Sequence, residues 1–172
     1  IPSFSGVDPD TLFFVSGKPA FIDCPWFVPV ANAFDMAHLG SVHRRRLHGE
    51  PEIDRPDAMT FRIRYATSVT GDGWSDRAMR ALSGDDIRNI VTCAGGSMVA
   101  VEATVGKRRS FLIVSLRPVS GGVSLLPLVG VPRRASGLHF IHAHLAKLLF
   151  IAFLRRDVRA LQGIRFNPRF DD

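Results

Sequence analysis

Cysteine is scarce in this chain: Cys24 and Cys93 are the whole complement in 172 residues. Two thiols cannot build a disulfide framework, so a reduced, cytosolic setting is expected, with each cysteine serving as a small buried apolar residue. Long hydrophobic runs are missing as well. The most apolar stretch, 148–154, falls far short of the roughly 20 residues a bilayer span needs, so a soluble protein is expected. No internal repeat or low-complexity tract occurs. The 15 glycines and 11 prolines are scattered, which argues against a disordered linker. No secretory leader is evident, and the chain opens on Ile1 rather than Met, which reads as a processed or excised piece.

What is present suits one domain, residues 1–172, since 46% hydrophobic content at this length allows a sizeable core. The net charge of +6 includes two basic runs, Arg44-Arg45-Arg46 and Lys107-Arg108-Arg109. Nucleic-acid binding would want aromatics interleaved with such residues or a recognisable binding fold, and neither is found. The runs read as solvated hairpin tips and loop ends, or as a dock for an acidic electron-transfer partner.

Periodicity predicts two short strands over 11–15 and 19–23, forming a hairpin around Ser16-Gly17-Lys18. Glycine and the prolines Pro51 and Pro56 mark 48–57 as a loop, with His48 in it. Alternation of Phe61, Ile63 and Tyr65 with Arg62 and Arg64 predicts a half-buried strand over 60–70. A short helix is expected over 74–82. Four strands then follow, over 87–92, 98–105, 110–118 and 123–131, with hairpin-compatible separators. The chain closes on a long helix over 138–161, with apolar residues at Ile141, Leu145, Leu148, Leu149, Ala152 and Phe153. Antiparallel strands followed by one long helix make an α+β plan, a curved sheet gripping a helix.

The stretch from Asn32 to His43 carries the chemistry. Asn32, Asp35 and His38 recur every third residue, one polar row on a helix. His43 follows His38 by five, which on an unbroken helix puts it roughly 140° around the axis. Two imidazoles can share an ion at that spacing only if the helix kinks or ends between them, and Gly40 is the residue that permits it. Asp157 lies four after Phe153 and four before Leu161, on the apolar stripe of the last helix. An ionised carboxylate there needs a metal or a cation. A salt bridge to a nearby arginine is the plainer alternative. His139, His142 and His144 have no carboxylate or cysteine at a partnering spacing and read as partly exposed residues at a helix start.

Asn32, Asp35, His38 and His43, with their spacings, resemble the mononuclear-iron motif of Rieske non-haem iron oxygenases, Asn-x-x-Asp-x-x-His-x-x-x-x-His. Family members often carry Glu before the Asn, where this chain has Ala31. The resemblance implies that His38, His43 and Asp157 bind Fe(II), leaving one side of the metal open to dioxygen and substrate. It further implies that Asp35 fixes His38 and passes electrons, and that Asn32 supports the site near the iron. A helix-grip, START-like fold and a homotrimeric α subunit fed by a ferredoxin or reductase are expected on the same ground. The activity implied is hydroxylation, demethylation or desaturation of a hydrophobic aromatic or sterol-like substrate. A Rieske [2Fe–2S] cluster needs Cys-x-His and Cys-x-x-His pairs. Cys24 precedes Pro25-Trp26 and Cys93 precedes Ala94-Gly95, so the cluster must sit on another domain or subunit. Two other readings stand beside this one: a metal-free helix-grip module binding a sterol or lipid, and a zinc hydrolase using the same triad.

Overall fold

The computed structural model describes residues 4, 6–83 and 86–165. After a 3-10 turn at Pro9–Thr11 come strands β1 (Leu12–Ser16) and β2 (Ala20–Ile22), then helices α1 (Val28–Ala33) and α2 (Met36–Ser41). Strands β3 (Arg45–Asp57) and β4 (Thr60–Val69) precede helix α3 (Trp74–Ser83). The rest is a meander, β5 (Ile87–Ala94), β6 (Met98–Val105), β7 (Arg108–Val119) and β8 (Gly122–Pro132), closed by helix α4 (His139–Leu161). All eight strands form one antiparallel sheet in the order β1-β8-β7-β6-β5-β4-β3, with β2 also on β8. The fold is α+β, a large antiparallel sheet with a C-terminal helix, as the order of elements implied.

The register puts Ile63, Val91, Val101, Leu112 and Val129 side by side across five strands, a transverse apolar row on the face that meets α4. Ala143 and Ala146 are buried against it, small side chains that let the helix approach closely. The helix is apolar on more than one side. Ala146, Phe150, Phe153 and Asp157 face inward, whereas Ile141 and Leu148 of the expected core stripe are 69% and 53% exposed. Both cysteines are buried free thiols. Among the described residues no helix is long and apolar enough to cross a membrane.

Two expectations fail here for backbone reasons. Strands β1 and β2 do not form a hairpin; both pair with β8, one after the other along its edge. The Gly17 N–H donates to the Pro127 carbonyl at 2.8 Å, so the chain runs on past Pro19 instead of reversing. The supposed loop 48–57 is β3, the last strand of the sheet. An edge strand tolerates proline because its outward N–H groups have no ladder partner to lose. The register slips between His48 and Glu52 and again between Asp54 and Asp57, which absorbs Gly49, Pro51 and Pro56 as bulges.

At the start of β8 a methyl group on Gly122 would stand 2.3 Å from the Ile22 carbonyl oxygen. Backbone cannot rotate away as a side chain can. Gly122→Ala is expected to cost about 1–3 kcal/mol and lower Tm by several degrees in a thermal unfolding scan. An unchanged Tm would mean that the β2–β8 pairing is loose.

Candidate metal centre

The motif helix is broken, and the break builds the site. Helix α1 ends at Ala33, and Asp35 takes an extended conformation to cap α2, accepting from the N–H groups of Ala37 and His38 at 2.9 and 3.2 Å. Asn32, Asp35 and His38 are therefore not one row on a continuous helix. Helix α2 runs through Gly40 and ends at Ser41, so the turn that separates His43 from His38 comes after the glycine. The chain enters β3 through Arg44, a non-glycine residue at φ 52°. That conformation is held by the Arg44 carbonyl, which accepts from the Thr70 N–H and hydroxyl at 2.9 and 2.7 Å.

His38, His43 and Asp157, from three separate segments, converge. Asp157 Oδ1 lies 2.7 Å from His38 Nε2 and 2.8 Å from His43 Nε2, and the two Nε2 atoms are 3.1 Å apart. Among the described residues Asp157 does not pair with an arginine; its neighbour Arg156 points to Asp76 instead. Asn32 Nδ2 donates to Asp157 Oδ1 at 3.1 Å and stands 3.2 Å from His38 Nε2. Asp35 meets His38 through the backbone N–H and is itself exposed, so Asn32 is the residue that touches the imidazole. Phe153, one turn before Asp157, stacks flat on His43 with ring centroids 3.4 Å apart and planes 2° off parallel. Those two residues share the inner stripe of α4, a relation visible in their spacing of four.

Burial holds His43 below the usual histidine range against the pull of Asp157, so the ring is neutral. Burial also pushes the Asp157 carboxyl up, but the hydrogen bonds from His38 and His43 outweigh it and keep the group ionised. The two Nε2 atoms and Asp157 Oδ1 thus crowd together in a buried place. His43 Nδ1 is buried with no hydrogen-bond partner, so either tautomer leaves this ring partly unsatisfied. A cation among the three atoms would relieve the crowding, and these residues could hold a metal ion. Bonds of about 2.1 Å at right angles separate neighbouring ligand atoms by about 3.0 Å, and tetrahedral angles by about 3.4 Å. The observed edges of 2.7, 2.8 and 3.1 Å are hydrogen-bond contacts within reach of either arrangement.

Beneath the site lies an ion network that no local pattern in the sequence announces. Asp76 of α3 is 1% exposed and takes both arms of Arg156, at 2.7 and 3.1 Å, with Arg45 at 3.3 Å. Arg156 also donates to the His43 carbonyl at 3.3 Å. Arg45, expected in a solvated run, has a buried side chain because it closes this cluster. Of the other histidines, His48 lies on β3 and bonds Ser68, and His139 and His144 bond nearby backbone. His142 is partly buried on the wall of a cavity.

That cavity, of about 190 Å³, opens beside His38, His43 and Asp157 between α4 and the inner face of the sheet. Its lining is mostly Val, Leu, Ile and Phe, with polar side chains confined to a few places. No family model and no curated protein sequence matches the chain. Solved structures do resemble it. Dicamba monooxygenase bound to 3,6-dichlorosalicylic acid aligns over 95% of this chain and 52% of its own, at a TM-score of 0.63 and 18% identity. A Pseudomonas putida CBB5 NdmA mutant with theobromine aligns over 100% and 48%, at 0.60 and 18%. NdmB from the same organism aligns over 95% and 45%, at 0.56 and 14%. The chain spans about half the length of these proteins. In its sheet, its closing helix and the order in which they follow, the chain has the fold of Rieske oxygenase catalytic domains.

Proposed function

We propose that residues 1–172 form the catalytic domain of a mononuclear non-haem iron oxygenase that hydroxylates, demethylates or desaturates a small hydrophobic substrate. The observation that carries this reading is the meeting of two imidazoles and one carboxylate, 2.7–3.1 Å apart, at the wall of an apolar cavity. A simple lipid carrier has no use for that convergence. The monooxygenase among the structural neighbours speaks for an oxygenase over a zinc hydrolase.

His38, His43 and Asp157 would hold Fe(II) from one side, and the bound metal would supply the one-electron chemistry that dioxygen needs to react with an unactivated carbon. The chain's own contribution is placement. Phe153 fixes the plane of the His43 ring, Asn32 steadies His38 and Asp157, and the apolar walls exclude water from the reacting atoms. An engineered apolar cavity of about 150 Å³ is known to accept benzene, so about 190 Å³ suits one substituted aromatic ring better than a sterol.

Electrons must come from outside. Cys24 and Cys93 are separately buried, and among the described residues neither joins a histidine cluster, so the residues present do not fit a Rieske [2Fe–2S] centre. A Rieske domain, reduced by a ferredoxin or reductase in the cytosol, would deliver them from a neighbouring subunit of a homotrimer. Ile141 and Leu148 offer an exposed apolar strip for such an assembly. The test is anaerobic loading with ferrous iron, followed by turnover with a reduced Rieske partner under isotopically labelled dioxygen. Dioxygen consumed in step with substrate oxidation supports the reading, with label retained in the product where the outcome is hydroxylation; turnover that consumes no dioxygen and draws oxygen only from water would point to a hydrolase.

Asp35 stands exposed at the head of α2, one turn from His38, and we assign it the electron-transfer bridge to that partner. Asn caps helices as well as Asp does, so Asp35→Asn removes the charge without undoing the cap. The variant is expected to keep its iron and its Tm and to lose turnover roughly 10–100-fold. Full turnover would leave Asp35 as a helix cap and nothing more.

A further inference from the structure

One end of the molecule is apolar and basic together. The N-cap and first turn of α4 present Leu138, Phe140 and Ile141, each more than half exposed. Single exposed apolar residues are ordinary, but these crowd the start of one helix and form a patch. The patch is held from beneath. Phe140 meets Phe13 of β1 edge to face, with ring centroids 4.7 Å apart, and His139 Nδ1 lies 3.0 Å from the Arg134 carbonyl oxygen. Ile141 stands at the edge of the patch, where the strip towards Leu148 begins.

Cations surround it. Arg133 and Arg134 lead into α4, and Lys107 and Arg108 stand at the turn from β6 to β7. Burial, then the charges of Arg134 and Arg108, hold the His142 imidazole below its usual range, so the turn and the link face the same place on α4. All four cations are exposed, and none has an ion pair among the described residues. Acids are scarce here. From Ala103 to Arg156 the sequence holds no Asp or Glu. The described acids flanking this end are Asp8 and Asp10 before β1, with Asp72 and Asp86 on the β4–β5 side. The last two are already paired with Arg80 and Arg88 at 3.6 and 3.5 Å.

The cavity opens in the same place. Among the described residues that line it only Arg108 and Leu145 are exposed, so it reaches the surface between the β6–β7 turn and α4. Leu138, Ile141 and Leu145 follow one another at spacings of three and four, an apolar track from the tip of the helix to that mouth. We infer that this end of the molecule docks on an anionic lipid bilayer, with Leu138, Phe140 and Ile141 entering the interface and the four cations meeting the headgroups. A hydrophobic molecule then passes from the membrane into the cavity along the track.

The choice of occupant follows from size and charge. A stable protein partner covers about 800 Å² on each side, and one helical turn with its rim offers far less. A second copy set on this end would bring its own four cations against these. A bilayer asks for no shape complementarity, and its interface binds apolar side chains flanked by lysine and arginine. Docking does not depend on the oxygenase reading, so it is measured on the metal-free chain.

The experiment is flotation of the full chain with vesicles of phosphatidylcholine alone, or of phosphatidylcholine with about 30% phosphatidylglycerol. Binding is expected to be about tenfold or more tighter to the anionic vesicles and to weaken as salt rises. Each cation at such a surface strengthens binding roughly fivefold, so Lys107→Gln with Arg108→Gln should lower the partition coefficient roughly 20–30-fold. Leu138→Gln with Ile141→Gln, both at exposed positions, should lower it about tenfold or more and leave Tm and iron uptake unchanged. Equal binding to the two kinds of vesicle, or binding to neither, overturns the inference. Binding that ignores the Leu138 and Ile141 changes would be adsorption by charge alone, and binding that ignores the Lys107 and Arg108 changes would put the membrane on another face; either overturns it. Soluble poly-glutamate bound as tightly as the anionic vesicles would name an acidic protein as the occupant. Self-association without vesicle binding, abolished by the Leu138 and Ile141 changes, would name a second copy. Both results count against the bilayer. Vesicle binding by a chain that takes up no iron would remove the oxygenase and keep the docking surface.

Discussion

Asp157→Ala is expected to abolish iron binding, taking the metal content of anaerobically loaded protein from about one per chain to near zero. The reason is geometric. His38 and His43 are each tied to Asp157 Oδ1, at 2.7 and 2.8 Å, and two imidazoles alone leave a hard divalent cation without its only anionic partner. Stability offers a second readout that needs no turnover. A ligand at one hundred times its dissociation constant stabilises the native state by about 2.7 kcal/mol, which for a chain of this size raises Tm by about 5–11 °C. Wild-type protein should show that rise with ferrous iron and Asp157→Ala should not. Removing the carboxylate also deprives Asn32 of an acceptor, so the metal-free variant is compared with metal-free wild type. A metal-dependent rise that persists in Asp157→Ala would place the ion elsewhere and end the triad assignment.

The residues of that triad could be read from the chain because each carries a local signature. The spacing of Asn32, Asp35, His38 and His43 is short, and Asp157 interrupts an apolar helical stripe. The meander β5–β8 and helix α4 were legible for the same reason, since period and turn chemistry are local. What was hidden depends on partners distant in sequence. Helix 32–43 breaks at Phe34 because Asp35 finds two N–H groups to cap, a choice that spacing alone cannot reveal. Strand β3 hides behind prolines that only an edge position tolerates. Strands β1 and β2 looked like a hairpin because nothing nearby shows that β8 would take both. Helix α4 is apolar on several sides, so its pattern could not say that Ile141 would face out and Ala143 in. Arg45 and Asp76 lie 31 residues apart on polar, unremarkable stretches, and their burial follows from the third partner, Arg156.

That partnership makes Asp76→Ala the variant with the largest expected loss of stability, about 3–5 kcal/mol, or some 6–20 °C in Tm. The carboxylate is 1% exposed and receives Arg156 through two nitrogens and Arg45 through one. Without it, Arg45 keeps a buried guanidinium with no counter-charge, and Arg156 loses the anchor that sets its bond to the His43 carbonyl. The pH dependence has a definite sign. Burial pushes the Asp76 carboxyl up, but the hydrogen bond and charge of Arg156, with the charge of Arg45, outweigh it and hold the group below its ordinary value. A depressed folded-state pKa contributes stability that is full above the unfolded value of about 3.9 and lost as pH falls through the folded one. The deficit of Asp76→Ala against wild type, measured by denaturant unfolding, should therefore be constant near neutrality and shrink below about pH 4. A deficit of equal size at pH 7 and pH 3 would mean that Asp76 acts by packing and not by charge. Because Arg156 adjoins Asp157 and grips His43, the same variant should loosen both of these proposed iron ligands. Iron affinity that falls in Asp76→Ala at a temperature where the protein is still folded would show this cluster to be the floor on which the metal site stands.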